Sequence, residues 1–151
     1  MTATATGYSQ HVRDPRKNPA IDGSCLCGAV HLAAARKPRT VTECNCSICR
    51  RYGTLWAYYR RRAVAITAPR GGLQTYSVRP HGRRFVRCTR CGCVTSWEKE
   101  RGADAWVALN ARLLDQALVA DVQVSVLDGD KTWRVVERYR RPATFISPSR
   151  R

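Results

Sequence analysis

Apolar residues in this chain fall in brief runs, rich in β-branched and aromatic types, that often alternate with polar neighbours. The runs are "AVHLAAA", "TLWAYYRR", "AVAITA", "LQTYSV", "RRFVRC", "CVTSWE", "AWVAL", "VQVSVL" and "WRVVERY". A period of two marks half-buried strands. Turn sequences separate them, among them "PRGG", "RPHG" and "LDGD", whose Asp-Gly pair is a hairpin signal. Helical spacing shows around "ARLLDQALVA", where Leu109, Leu113, Leu114, Ala117 and Leu118 repeat and are expected to meet the core. A second, shorter helical turn is expected from Ser47. The predicted fold class is mainly β, a small β fold of short antiparallel strands with one short helix.

A length of 151 residues predicts one domain, and 44% hydrophobic content is ordinary for a globular chain. No apolar run reaches the roughly 18 residues that a membrane span requires. Residues 1–20 read as a flexible N-terminal arm, 21–141 as the folded domain, and 142–151 as a C-terminal tail with Phe145 and Ile146 as candidate anchors. The polar opening segment lacks the apolar stretch of a secretory signal, so the expected compartment is the reducing cytoplasm.

In that compartment the eight cysteines are expected to be metal ligands rather than disulfides. Stray buried thiols would scatter along the chain, but these fall in tight groups: 25 and 27; 44, 46 and 49; 88, 91 and 93. "CLCG" and "CTRCG" both end in Cys-Gly, where glycine lets the backbone turn and offer N–H groups to sulfur, as in zinc knuckles. Cys25 and Cys27 are therefore paired with Cys88 and Cys91 in a closed, structural four-thiolate site. Cys44, Cys46 and Cys49 are left as three ligands from one loop. They can occupy one side of a second zinc and leave its fourth position open, which is the catalytic arrangement. Such a position suits a water or a substrate thiol, which zinc deprotonates. Two Zn2+ per chain are expected. Cys93 has two readings: a fourth ligand that closes the second site, or a buried thiol beside a metal, the latter being preferred.

Charge adds one element. The chain carries +16 with a pI near 10.3, and two zinc ions held by seven thiolates would still leave it strongly basic. Of its basic residues only Lys17, Lys37, Lys99 and Lys131 are lysines, and arginine favours bidentate contact with carboxylates or phosphates. A compositional bias would account for the arginines equally well. Arg50 and Arg51 follow the cysteine loop directly. They either reach an anionic substrate, offset the negative three-thiolate zinc, or simply solvate the loop. The three histidines have no ligand-like spacing, and no Ser-His-Asp set or glycine-rich phosphate loop can be read.

The order "GSCLCGAV", "CNCSICRR-YG", "RRFVRCTRCG", with a later "NARLLD" and "LDGDKTW", resembles the glutathione-dependent formaldehyde-activating enzyme family, which includes centromere protein V. The likeness runs from Gly23 to about Arg138. It implies a small β fold with two zinc sites, Cys25, Cys27, Cys88 and Cys91 matching the structural one and Cys44, Cys46 and Cys49 the catalytic one. It implies a carbon–sulfur lyase activity, the formation or cleavage of S-(hydroxymethyl)glutathione, with glutathione and an aldehyde as partners. Glutathione is a net anion that arginines would clamp. Cys93 departs from the family pattern, standing where a serine or threonine is expected. The alternative reading is a non-catalytic zinc module that contacts nucleic acid or another anion. It rests on the high pI and on "WAYYRRR", a stretch equally read as a strand facing core and solvent by turns.

Overall fold

The computed structural model describes residues 14–78, 82–99 and 105–142. Most of the expected N-terminal arm, the tail with Phe145 and Ile146, and most of the "RPHG" turn lie outside the described residues. A three-stranded antiparallel sheet contains β1 (Ile21–Ser24), β2 (His31–Ala34) and β5 (Val64–Thr67), in the order β1-β2-β5. The larger sheet comprises β3 (Thr40–Cys44), β4 (Leu55–Arg60), β6 (Leu73–Val78), β7 (Arg83–Cys88), β8 (Val94–Lys99), β9 (Trp106–Asn110), β10 (Gln123–Asp128) and β11 (Arg134–Arg140). Its order is β11-β10-β3-β4-β9-β8-β7-β6. All its pairs are antiparallel except β10 with β3, which run parallel.

Alternation along the central strands divides the side chains between two cores. Ala57 and Tyr59 of β4, with Val107 and Leu109 of β9, pack against Ile21, Leu32 and Val64 of the small sheet. The intervening Trp56 and Ala108 belong to the opposite face, where they meet Phe85, Cys44 and Cys49. The small sheet therefore covers one face of the large one. The other face carries α1 (Ser47–Tyr52) and the three-cysteine loop. Strand twist bends the large sheet around this second face. Arg83 of β7 thereby meets Trp133, in the loop after β10, although four strands separate β7 from β10.

The helix expected around "ARLLDQALVA" does not form, and the one α-helix among the described residues is α1. Residues Ala111–Leu113 make a 3-10 turn, and competing hydrogen bonds explain why it stops there. An α-helix would send the Asp115 N–H to the Ala111 carbonyl, but that N–H goes to Asp22 O of β1 at 2.8 Å. Gln116 Nε2 then occupies the carbonyls of Ala111 and Leu114. Packing was better anticipated than backbone. Leu109 and Leu114 are buried and Leu113 and Leu118 line the core, while Ala117 is exposed. Close approach to this turn also requires Gly23, where a Cβ would overlap Leu113 O and lie 2.6 Å from Leu114 Cα.

Candidate metal centres

The first cysteine group forms where two turns face each other. Cys25 and Cys27 lie between β1 and β2, while Cys88 ends β7 and Cys91 sits in the turn before β8. Gly28 and Gly92 both take left-handed backbone conformations, φ 74° and 75°, which L side chains adopt at a cost. Those turns aim amides at sulfur: Val30 N donates to Cys25 Sγ at 3.3 Å, and the Ala29 amide reaches Cys27. Cys25 Sγ and Cys27 Sγ are 3.5 Å apart, and Cys27 Sγ and Cys88 Sγ 3.7 Å. Tetrahedral zinc with Zn–S near 2.3 Å requires sulfur–sulfur edges of about 3.8 Å, whereas a disulfide requires about 2.05 Å. All four sulfurs lie within 4.8 Å of one another. The donor set fits zinc.

Cys93 belongs to this region, not to the second site. Its carbonyl accepts from Cys88 N at 3.0 Å. Burial pushes its thiol up, against the Leu26 amide and with Cys91 beside it. The reading in which Cys93 closes the second group is therefore corrected. The turn geometry after "CTRCG" sends it back toward "CLCG", so the thiol lies beside the first cysteine group.

The second group is built from the end of β3 and from α1. Cys44 closes the strand, Cys46 is the residue before the helix, and Cys49 lies one turn along it. Their sulfurs are also mutually within 4.8 Å. Gly53, left-handed at φ 60°, ends the helix by donating to Cys49 O. Among the described residues no other histidine, cysteine or carboxylate joins the three. Donation from the Cys49 thiol, with help from Cys46 and the charge of Arg83, outweighs burial and draws Cys44 down to about 6. Cys49, carrying the proton it shares with Cys44, is driven up, burial adding to the effect. Trp56 Nε1 donates to Cys49 Sγ at 3.3 Å.

The loop after β10 closes against this group. An added Cβ at Gly129 would overlap Cys44 Sγ and lie 3.2 Å from Cys46 Cβ. Asp128 fastens the loop there: its carboxylate accepts from Asn45 Nδ2, Lys131 N, Thr132 N and Thr132 Oγ1 at 2.9–3.3 Å. Asn45 and Thr132 together hold its carboxyl down at about 2. The "LDGD" signal thus marks a real hairpin, but with residues 129–133 between the strands rather than a two-residue turn. Tyr58 faces the group from β4. Burial first, then the charges of Cys44 and Cys49, hold its phenol up at about 12.

The predicted arginines lie on the last turn of α1, both exposed, with Arg51 Nη1 donating to Ser47 O at 2.7 Å. In "WAYYRRR", Trp56 to Arg60 belong to β4, which faces two ways, and Arg61 and Arg62 begin a 3-10 turn; Trp56 and Tyr59 are buried, so they are not offered for base stacking. His31 is exposed on β2 and joins neither cysteine group. Trp56, Tyr58, Arg83, Asp128, Gly129 and Trp133 escaped the sequence reading. Of these, Asp128 and Gly129 carry a signal in the sequence, the Asp-Gly pair, which marks a turn rather than a site.

The sequence model of the glutathione-dependent formaldehyde-activating enzyme family matches residues 20–128, which hold both cysteine groups. The chain belongs to that family. A solved structure of a Rhodobacter sphaeroides protein, a structural-genomics target, is similar at a TM-score of 0.53 and 23% identity. The likeness covers 61% of this chain and 85% of that one, and shows the fold. Family membership suggests glutathione-dependent formaldehyde activation. No helix among the described residues is long and apolar enough to cross a membrane.

Proposed function

We propose that the protein is a zinc-dependent carbon–sulfur lyase that forms or cleaves the adduct of glutathione, or a similar small anionic thiol, with an aldehyde. The observation that carries this is the convergence of Cys44, Cys46 and Cys49 without a fourth protein donor among the described residues, in a chain of this family. In this reading Cys25, Cys27, Cys88 and Cys91 hold a structural zinc and the three-cysteine group a second one. Zinc bound there supplies a vacant coordination position that lowers the pKa of an incoming thiol.

The chain's own residues do the rest. Trp56 orients Cys49 through its N–H, and Asp128 holds Gly129 against Cys44. Addition of a thiolate to a carbonyl carbon puts negative charge on the oxygen, which then takes a proton. Tyr58 stays protonated beside the cysteines and is the hydrogen-bond donor for that oxygen. Arg50 and Arg51 extend a positive field toward an anionic thiol. Orientation and a lowered thiol pKa are the catalytic contributions, because thiols and formaldehyde also combine unaided. A reducing compartment such as the cytoplasm would keep the cysteines of both groups reduced and free to serve as ligands.

Exchange NMR of formaldehyde, glutathione and their adduct tests the proposal. Zinc-loaded protein is expected to accelerate exchange above the spontaneous rate, Cys46→Ser to abolish the acceleration, and Cys93→Ser to keep it. Exchange at the spontaneous rate with fully loaded protein would remove this reaction.

A further inference from the structure

The basic residues of α1 and β7 differ in what they contact. Arg51 bonds to its own helix, Arg84 pairs with Glu98, and Arg87 directs its fork to Gln74. Arg83 instead lies over aromatic rings: its guanidinium carbon is 4.6 Å from the Trp133 ring centre and 5.6 Å from that of Trp97. No carboxylate pairs with it among the described residues. Rings over the flat of a guanidinium hold it by cation–π attraction and leave its N–H edge available for in-plane bonds.

Both rings are tied to the site. Trp97 packs edge-on against Tyr58, centroids 5.8 Å apart. Trp133 ends the loop that presses Gly129 on Cys44, and its backbone N–H donates to Asp128 O at 2.7 Å. Trp133 has φ 56°, an uncommon conformation for an aromatic residue. The loop accepts that strain while presenting the ring to Arg83.

We propose that Arg83, steadied by Trp97 and Trp133 at the rim of the three-cysteine group, is the specificity residue that binds a carboxylate of the thiol substrate. This rests on the thiol–aldehyde reading and adds the requirement that the thiol carry an acid group within reach of the sulfur. A planar fork held beside two rings, with no carboxylate paired to it among the described residues, matches a carboxylate in bidentate geometry.

Calorimetric binding of 3-mercaptopropionate and of its methyl ester to zinc-loaded protein tests this without turnover. Wild type is expected to prefer the acid by about tenfold or more, the range of a charged hydrogen-bonded pair. Arg83→Gln is expected to lose that preference while keeping its affinity for the ester, and Arg87→Gln, at a fork already held by Gln74, to retain the preference. Arg83→Lys, which keeps the charge but not the fork, is expected to show a reduced preference and decides the matter should the glutamine variant misfold. A preference unchanged in the Arg83 variants, or lost in Arg87→Gln instead, overturns the assignment while leaving the thiol site standing. Failure of wild type to bind either thiol overturns the assignment together with the reading beneath it.

Discussion

Trp56 Nε1 lies 3.3 Å from Cys49 Sγ and donates to it from the floor of the second core. Outer donors of this kind orient ligands, and their loss typically lowers metal affinity 10–100-fold, roughly. Trp56→Phe keeps most of the buried ring but removes the N–H. The variant is expected to bind zinc at the three-cysteine group about tenfold more weakly, with the four-cysteine group unaffected. Chelator competition resolves the two sites, and equal affinities in variant and wild type would refute the role.

Gly129→Ala tests the closure of the loop. The new methyl would overlap Cys44 Sγ, and overpacking a tight site costs about 1–3 kcal/mol. Zinc content is expected to fall by the equivalent held at the three-cysteine group, with the circular dichroism of the sheets retained. Full zinc content would show that the loop moves aside freely.

Cys44 gives a pH prediction whose sign follows from its shift. Its folded pKa of about 6 lies below the ordinary 9.0. Its thiolate therefore contributes stability that is fully present above pH 9.0 and lost as pH falls through about 6. In metal-free protein the ultraviolet thiolate absorbance lost on Cys44→Ser should have a midpoint near 6. Stability should rise from there toward alkaline pH more steeply in wild type than in the variant. A difference midpoint at the ordinary thiol value would contradict the sharing of a proton with Cys49.

Asn110 joins β4, β8 and the 3-10 turn from a buried position. Its Oδ1 accepts from Leu55 N and Arg112 N, and its Nδ2 donates to Val94 O at 2.9 Å. Asn110→Ala would orphan buried backbone groups, at about 1–3 kcal/mol for each group left unsatisfied. The urea midpoint should fall accordingly with the slope unchanged when zinc is saturating. A shift within error of zero would show that water replaces the side chain.

Much of the strand pattern could be read residue by residue because alternation is a local property. "LQTYSV" and "RRFVRC" became β6 and β7 with the boundaries expected. β1 and β3 escaped: "IDGS" and "TVTEC" are short, with only Ile21, Val41 and Cys44 buried. The helix around "ARLLDQALVA" failed for a non-local reason. Leucine spacing reported burial correctly, but β1 and Gln116 compete for the hydrogen bonds that would have continued it.

The cysteine groups divide along the same line. Spacing and the following glycines, which act within a single turn, determined that "CLCG" and "CTRCG" would make knuckles and that Cys44, Cys46 and Cys49 would converge. Only the tertiary structure decided what surrounds the three thiols. Trp56 and Tyr58 reach them through the pleat of β4, Gly129 through the parallel pairing of β10 with β3, and Arg83 through the bend of the large sheet toward Trp133. Gly129 and Arg83 come from far along the chain, and Trp56, though only seven residues from Cys49, arrives through the pleat of a paired strand; no local propensity encodes which side chain will meet a given sulfur.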